Sequence, residues 1–209
     1  SGLYSFNSGT AEENIVDGSA YSNISEFDMS TGKMYNLIME TDENISIYEF
    51  NVNTNEDSLI GIINEPGVIG IVADAIGFDS NNGIIYYVGY TNDPGIGLYA
   101  ISVRDSVFSY TRTILNTTAP INNIFGVNYD NENDKLFALN DTYDTLFNFS
   151  GRYVIEINTV TGDIINRVDL AEFPYYVGGS SCFDQNTSTY LIAAIDTTNL
   201  LKMVAINTL

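Results

Sequence analysis

Two carboxyl groups roughly 5 to 9 Å apart can hydrolyse a glycosidic bond, one giving a proton while the other acts as base or nucleophile. The chain has 27 acidic side chains against 7 basic ones, so acid pairs will arise by chance. The pair worth naming is Glu26 with Asp74, the only acids in the segments expected to lie innermost. A second arrangement, Asp130-Asn-Glu132-Asn-Asp134, alternates oxygen ligands as calcium loops do. Asp130, Glu132 and Asp134 are therefore a weak candidate Ca2+ site. They lack the Gly at position six and the Glu at position twelve of an EF-hand, and Lys135 is a poor neighbour for a cation. There is no histidine, which removes imidazole bases and imidazole metal ligands. The single cysteine, Cys182, cannot form an internal disulfide, a redox pair or a cysteine zinc site, and reads as a small core residue. Ser180 and Ser181 have no base beside them in the sequence. No resident cofactor is expected.

The remaining candidates are for binding. Tyr143, Phe147 and Phe149 fall in an excursion from Asp141 to Gly151 that reads as longer than its counterparts, and Tyr175 and Tyr176 lie beside another loop. Exposed aromatics of this kind stack on sugars or form protein contacts. Six Asn-X-Ser/Thr sequons are present, of which Asn116 and Asn148 fall in apparent loops and are the first choices for glycosylation. The net charge of −20 argues against nucleic acid and against a polybasic membrane contact. No apolar run approaches a membrane span and no signal peptide is read. A chain that is 44% hydrophobic is too apolar for disorder.

Gly and Pro punctuation with Val, Ile, Tyr and Phe crowded between predicts short strands, and no amphipathic pattern is long enough for a helix. An aromatic-Asp pair recurs at Phe27-Asp28, Phe78-Asp79, Tyr129-Asp130 and Phe183-Asp184, with the aspartates 51, 51 and 54 residues apart. Each pair leads through a turn-like cluster into a strand, which is what a hairpin needs: an Asp to bond the turn backbone and a residue tolerant of positive φ. A third strand ends in a polar residue (Asn51, Ser102, Asn158, Asn207), and a fourth follows in the first three units. Four strands per repeating unit is the arithmetic of a β-propeller blade.

The expected fold is therefore all-β: a single propeller domain of four blades of four antiparallel strands. The blade units are approximately 22–64, 72–116, 123–170 and 177–209, the last completed by 3–7. The 25 residues after Asp184 and the 28 running up to Asp28 total 53, inside the observed spacing, so the N-terminal strand is expected to close the ring. Two alternatives stand beside this: a fragment of a larger propeller, and donation of Leu3 to Asn7 to a neighbouring molecule. A blade buries its faces only against other blades, which is why closure matters.

The aromatic-Asp, turn, strand ending in Asn, and Thr-Gly turn, best seen at Asn158-Thr-Val-Thr-Gly162, resemble the WD40-like group of propeller repeats. Within it they resemble the YVTN and quinoprotein-type repeats of many secreted proteins. In size alone the ring is similar to hemopexin-like domains, whose Trp-Arg pattern is missing. The resemblance implies a propeller and an extracellular or cell-surface location. With no catalytic constellation, the expected function is a non-enzymatic interaction or assembly module with a loop-borne binding face. Its partner would be a protein or glycan, a second copy of itself included, without nucleic acid or membrane insertion. The alternative is a lectin, or a carbohydrate-active hydrolase using Glu26 and Asp74.

Overall fold

The computed structural model describes residues 3–7, 12–17, 24–41, 44–65, 68–91 and 95–209. Every regular element among them is a β-strand. The first antiparallel sheet joins β3 (Ile24–Asp28), β4 (Lys33–Thr41), β5 (Asn44–Asn51) and β6 (Glu56–Asn64) in chain order. The second joins β7 (Val68–Asp79), β8 (Ile84–Thr91), β9 (Gly95–Ser102) and β10 (Ser109–Ile114). The third joins β11 (Ile121–Asp130), β12 (Lys135–Tyr143), β13 (Phe149–Ile157) and β14 (Ile164–Asp169). The fourth holds three strands: β15 (Tyr175–Asp184), β16 (Thr189–Ile195) and β17 (Leu201–Asn207). Their first strands, β3, β7, β11 and β15, come together, and the four meanders radiate from them as the blades of a β-propeller.

The repeated aspartates do the turn work their spacing implies. Asp79 accepts from the backbone N–H groups of Asn81 and Asn82, both at 2.9 Å. Asp130 accepts from those of Glu132 and Asn133, and Asp184 from that of Asn186. Asp28 accepts from Ser30 N–H at 2.9 Å and from the Ser30 and Thr31 hydroxyls. Four residues after each aspartate the chain turns left-handed, at Gly32, Gly83, Asp134 and Ser188. These residue types tolerate that conformation or bond locally within it. Neighbouring turns are stitched together: Asn131 accepts from Ser80 N–H, and Gln185 accepts from Asn131 N–H.

Alternation along the strands builds three inter-blade cores. Tyr35, Leu37, Ile45 and Ile47 of the first sheet meet Ile85, Tyr87, Tyr99 and Ile101 of the second. The second and third meet through Tyr86, Val88, Leu98, Leu136 and Ile155, and the third and fourth through Phe137, Leu139, Tyr190 and Ile192. The later repeated aromatics face the preceding blade: Phe78 packs on Tyr35, Tyr129 stacks on Tyr86, and Phe183 on Phe137. No such cluster joins the fourth sheet to the first among the described residues. Phe27, the first of the repeated aromatics, is 46% exposed, as are Leu201 (67%) and Met203 (68%) on the fourth sheet.

One expectation is corrected here. Leu3–Asn7 is a strand (β1), but it pairs with β2 (Glu12–Asp17), a strand the sequence reading did not assign, and not with β17. A hairpin between segments this close in sequence has a small loop-closure cost, whereas reaching β17 would close a loop of nearly the whole chain. The fourth sheet is accordingly three-stranded rather than four-stranded.

Candidate functional site

Two places bring chemistry-bearing residues together. The first lies on the axis, where the innermost strands break register. β7 bulges between Ile71 and Ile76, β11 between Phe125 and Asn128, and β15 between Tyr176 and Ser181. Asp74, at φ 65°, and Gly126, at φ 60°, occupy these bulges in left-handed conformation. A Cβ on Gly126 would lie 2.7 Å from the Tyr190 hydroxyl, which donates to the Gly126 carbonyl, so only glycine fits. Asp74, freed to point inward, accepts from the Tyr176 hydroxyl and, at 3.1 Å, from Ser181 Oγ across the axis. Asn128 donates to Ser181 Oγ at 3.0 Å and to the Gly126 carbonyl. Asn128 joins this network to a bowl of about 450 Å3 that opens at the end bearing the aspartate turns.

Into that bowl each blade sends the residue before its repeated aromatic: Glu26, Gly77, Asn128 and Cys182. Burial, reinforced by the negative charge of Asp74, pushes the Glu26 carboxyl up to about 8, so it carries its proton at neutral pH. Burial also raises Asp74, against the opposing pull of the Tyr176 and Ser181 hydrogen bonds. Glu26 thus lies within the field of Asp74, the other acid named from the sequence. The structure adds Asn128 and Ser181, which sequence reasoning did not assign to binding. Their signal was the step before or beside each repeated aromatic. Cys182 is exposed rather than in the core, because it faces the bowl and not the neighbouring blade.

The second place is at the opposite end. The excursion from Asp141 to Gly151 is mostly strand: β12 runs to Tyr143 and β13 starts at Phe149, leaving a five-residue loop. Its counterpart in the fourth sheet, between Ile195 and Leu201, is the same length, while those after Thr41 and Thr91 in the first two sheets are two and three residues, so it is longer than two of its three counterparts. The two loops share one geometry. Asp144 Oδ1 accepts from Leu146 N–H at 2.8 Å and Asn148 N–H at 2.9 Å. Asp196 Oδ1 accepts in the same way from Thr198 and Leu200. The Asn148 side-chain and backbone N–H groups hold the Asp144 carboxyl below its ordinary range. The left-handed position is Asn199 in one loop and Phe147 in the other, at φ 63° in both. Of the six described non-glycine residues with positive φ, Phe147 alone is neither Asn, Asp nor Ser.

Behind this tip sits Arg152, forked onto Asp141 with bonds of 2.6 and 2.5 Å and buried with it. The guanidinium lies 5.9 Å from the ring centroids of Phe125 and Phe149 and 6.0 Å from that of Tyr176. Tyr143 packs edge-on against Phe149. Four of the five sequence-chosen binding residues, Tyr143, Phe147, Phe149 and Tyr176, are therefore gathered at or behind one loop, and Tyr175 is exposed beside Tyr176. Phe147 (74%) and Leu146 (78%) project from it. Leu146 and Arg152 were missed, the first hidden beside a more conspicuous Phe.

The other candidates separate. Both carboxylate oxygens of Asp130 bond its own turn, and Asp134 accepts from the Tyr129 hydroxyl. No group of three metal-ligating side chains that includes Asp130, Glu132 or Asp134 occurs among the described residues. Asn116 and Asn148 are exposed, their amides donating to Asp163 and Asp144. No helix among the described residues is long and apolar enough to cross a membrane.

No family model matches the chain, and no curated protein matches it. Solved structures do. An oligogalacturonate lyase in complex with manganese aligns with TM-score 0.56 and 13% identity, over 99% of this chain and 56% of that one. TolB from Acinetobacter baumannii aligns with TM-score 0.45 and 13% identity, over 96% of this chain and 58% of that one. The chain thus spans little more than half the length of either structure. At this identity the first likeness speaks for the propeller fold alone.

Proposed function

We propose that this chain is a non-enzymatic interaction module, extracellular or on the cell surface, whose contact is the Leu146–Phe147 tip backed by Tyr143 and Phe149. The observation that carries the reading is Phe147 itself. A bulky L-residue in the left-handed region costs roughly 1–2 kcal/mol. Phe147 returns little of that through packing, since it is 74% exposed. The matching loop places Asn199 there. A strained, exposed aromatic on a hydrogen-bonded loop is a preorganised contact, and preorganisation lowers the entropic cost of binding. Asp169 and Glu172 are exposed at the same end of a chain of net charge −20. The complementary partner is a protein with an apolar pocket rimmed by Lys or Arg, and self-association is opposed by charge. The resemblance to repeats of secreted proteins and the exposed sequons Asn116 and Asn148 support the location.

A displayed peptide library selected on the intact chain tests this. Basic peptides with an apolar centre are expected, losing about tenfold in affinity on Phe147→Ser or Leu146→Ser. A matching change at Val160, which is 81% exposed elsewhere, is expected to do nothing. Peptides indifferent to both tip variants would sink the reading. A second reading, a carbohydrate hydrolase, draws on the proton-bearing Glu26 beside Asp74. It requires reducing-sugar release that Glu26→Gln abolishes.

A further inference from the structure

We propose that the axial bowl is a binding site for a neutral polyhydroxylated ligand of the sugar type, held without turnover, independently of the aromatic tip at the other end. All four blades line it: Glu26, Gly77, Asn128 and Cys182 converge on a cavity of about 450 Å3, a volume that holds a small ligand. Its lining includes Phe27, which is 46% exposed and offers an apolar face to the C–H side of a sugar. Asn128 adds a side-chain amide, its Nδ2 donating to Gly126 and Ser181, while the Asn131 and Gln185 amides bond the turns beside them.

The chemistry selects a neutral ligand. Charged groups that would recruit an ion by pairing are already bonded: Arg104 pairs with Asp28 at 2.5 Å, and Oδ2 of Asp74 accepts from the Tyr176 and Ser181 hydroxyls. Glu26 is met by Asp74 from β7 and shares the bowl with Cys182 of β15 and Tyr129 of β11, so no cation faces it. In its acid form it is a hydrogen-bond donor and acceptor at once, as a ligand hydroxyl requires. At Gly77 the second and third blades approach closely, a Cβ there falling 3.3 Å from the Asn128 backbone.

Cys182, the chain's one thiol, opens into the same bowl and reports occupancy directly. Maleimide labelling of the intact chain is measured with glucose, maltose, cellobiose, myo-inositol and glycerol. Protection is read as a ratio to unliganded protein at each pH, which cancels the thiol's own reactivity. At least one sugar or inositol is expected to protect saturably. Glu26→Gln should keep that protection at neutral pH, because Gln also donates and accepts, while Glu26→Ala weakens it about tenfold. As pH rises through about 8 the wild type loses protection and Glu26→Gln does not. Sugar-only protection assigns a saccharide, and equal protection by inositol assigns a free polyol; either supports the site. Should Glu26→Ala fail to fold, Phe27→Ala on the exposed rim takes its place with the same expected loss. The proposal is overturned if no compound protects, if protection ignores both alanine variants, or if Glu26→Gln loses as much as Glu26→Ala.

Discussion

Replacing Phe147 by Asn is expected to stabilise the fold while disabling its contact. The left-handed conformation at φ 63° costs an ordinary L-residue roughly 1–2 kcal/mol, and Asn, which bonds locally there, escapes much of it. Against that gain stands the lost burial of a ring that is 74% exposed. A quarter of a fully buried Phe is worth about 0.5 kcal/mol. The net is a gain of about 0.5 kcal/mol, or a rise of about 1–2 °C in Tm for a chain of this size. The reciprocal change in the twin loop, Asn199→Phe, introduces the strain and is expected to lose about 1 kcal/mol and about 2–4 °C. Urea titration and thermal melts of the two variants beside wild type read the pair. Opposite signs support the argument. A loss of more than about 1 kcal/mol in Phe147→Asn would mean that Phe147 packs as core and that its exposure has been misjudged.

Other expectations follow from the same geometry. Glu26 holds its proton to about 8 in the folded chain against 4.5 for the free group, so the folded state binds more protons between those values. Stability contributed there is present below about pH 4.5 and is lost as pH rises to 8, by up to about 1 kcal/mol per pH unit, less where bowl water hydrates the carboxylate. Glu26→Gln should flatten that slope in denaturation at pH 5 to 8. Asp28 acts in the opposite sense. Burial would raise it, but bonds from Ser30, Arg104 and Thr31 together hold it well below the carboxylate range. Its stabilisation is present above the ordinary carboxylate pKa and vanishes on acidification, so Asp28→Asn should lose most near neutrality and least in acid. Arg152→Ala strands the buried Asp141 and is expected to cost about 3–5 kcal/mol by urea titration, more than the double change Asp141→Leu with Arg152→Met.

How much of this could be read from the sequence depends on how local the physics is. The aromatic-Asp period is legible because an Asp that bonds the N–H groups two and three residues on needs nothing from the rest of the molecule. So too with the innermost strands, which precede those turns. The pairing of Glu26 with Asp74 was legible only as two acids on inner strands, since what binds them lies far away in sequence. Tyr176 is 102 residues and Ser181 107 residues from Asp74. Arg104 reaches Asp28 over 76 residues for the same reason. The strand β2 went unread because Glu12-Glu-Asn-Ile-Val-Asp17 has two apolar residues in six and is defined by its hairpin partner. The strand residues at the start of Asp141–Gly151 went unread because Asp141 and Thr142 are polar side chains buried within β12.

A preorganised tip requires Phe147 to be held out to solvent rather than flap into it. Backbone 15N relaxation at Leu146 and Phe147 measures that directly. Bonds from Leu146 and Asn148 N–H to Asp144 predict order parameters near 0.85, the value of rigid backbone, falling on Asp144→Ala. Values below about 0.6 in the wild type would contradict it, because a flexible tip preorganises nothing.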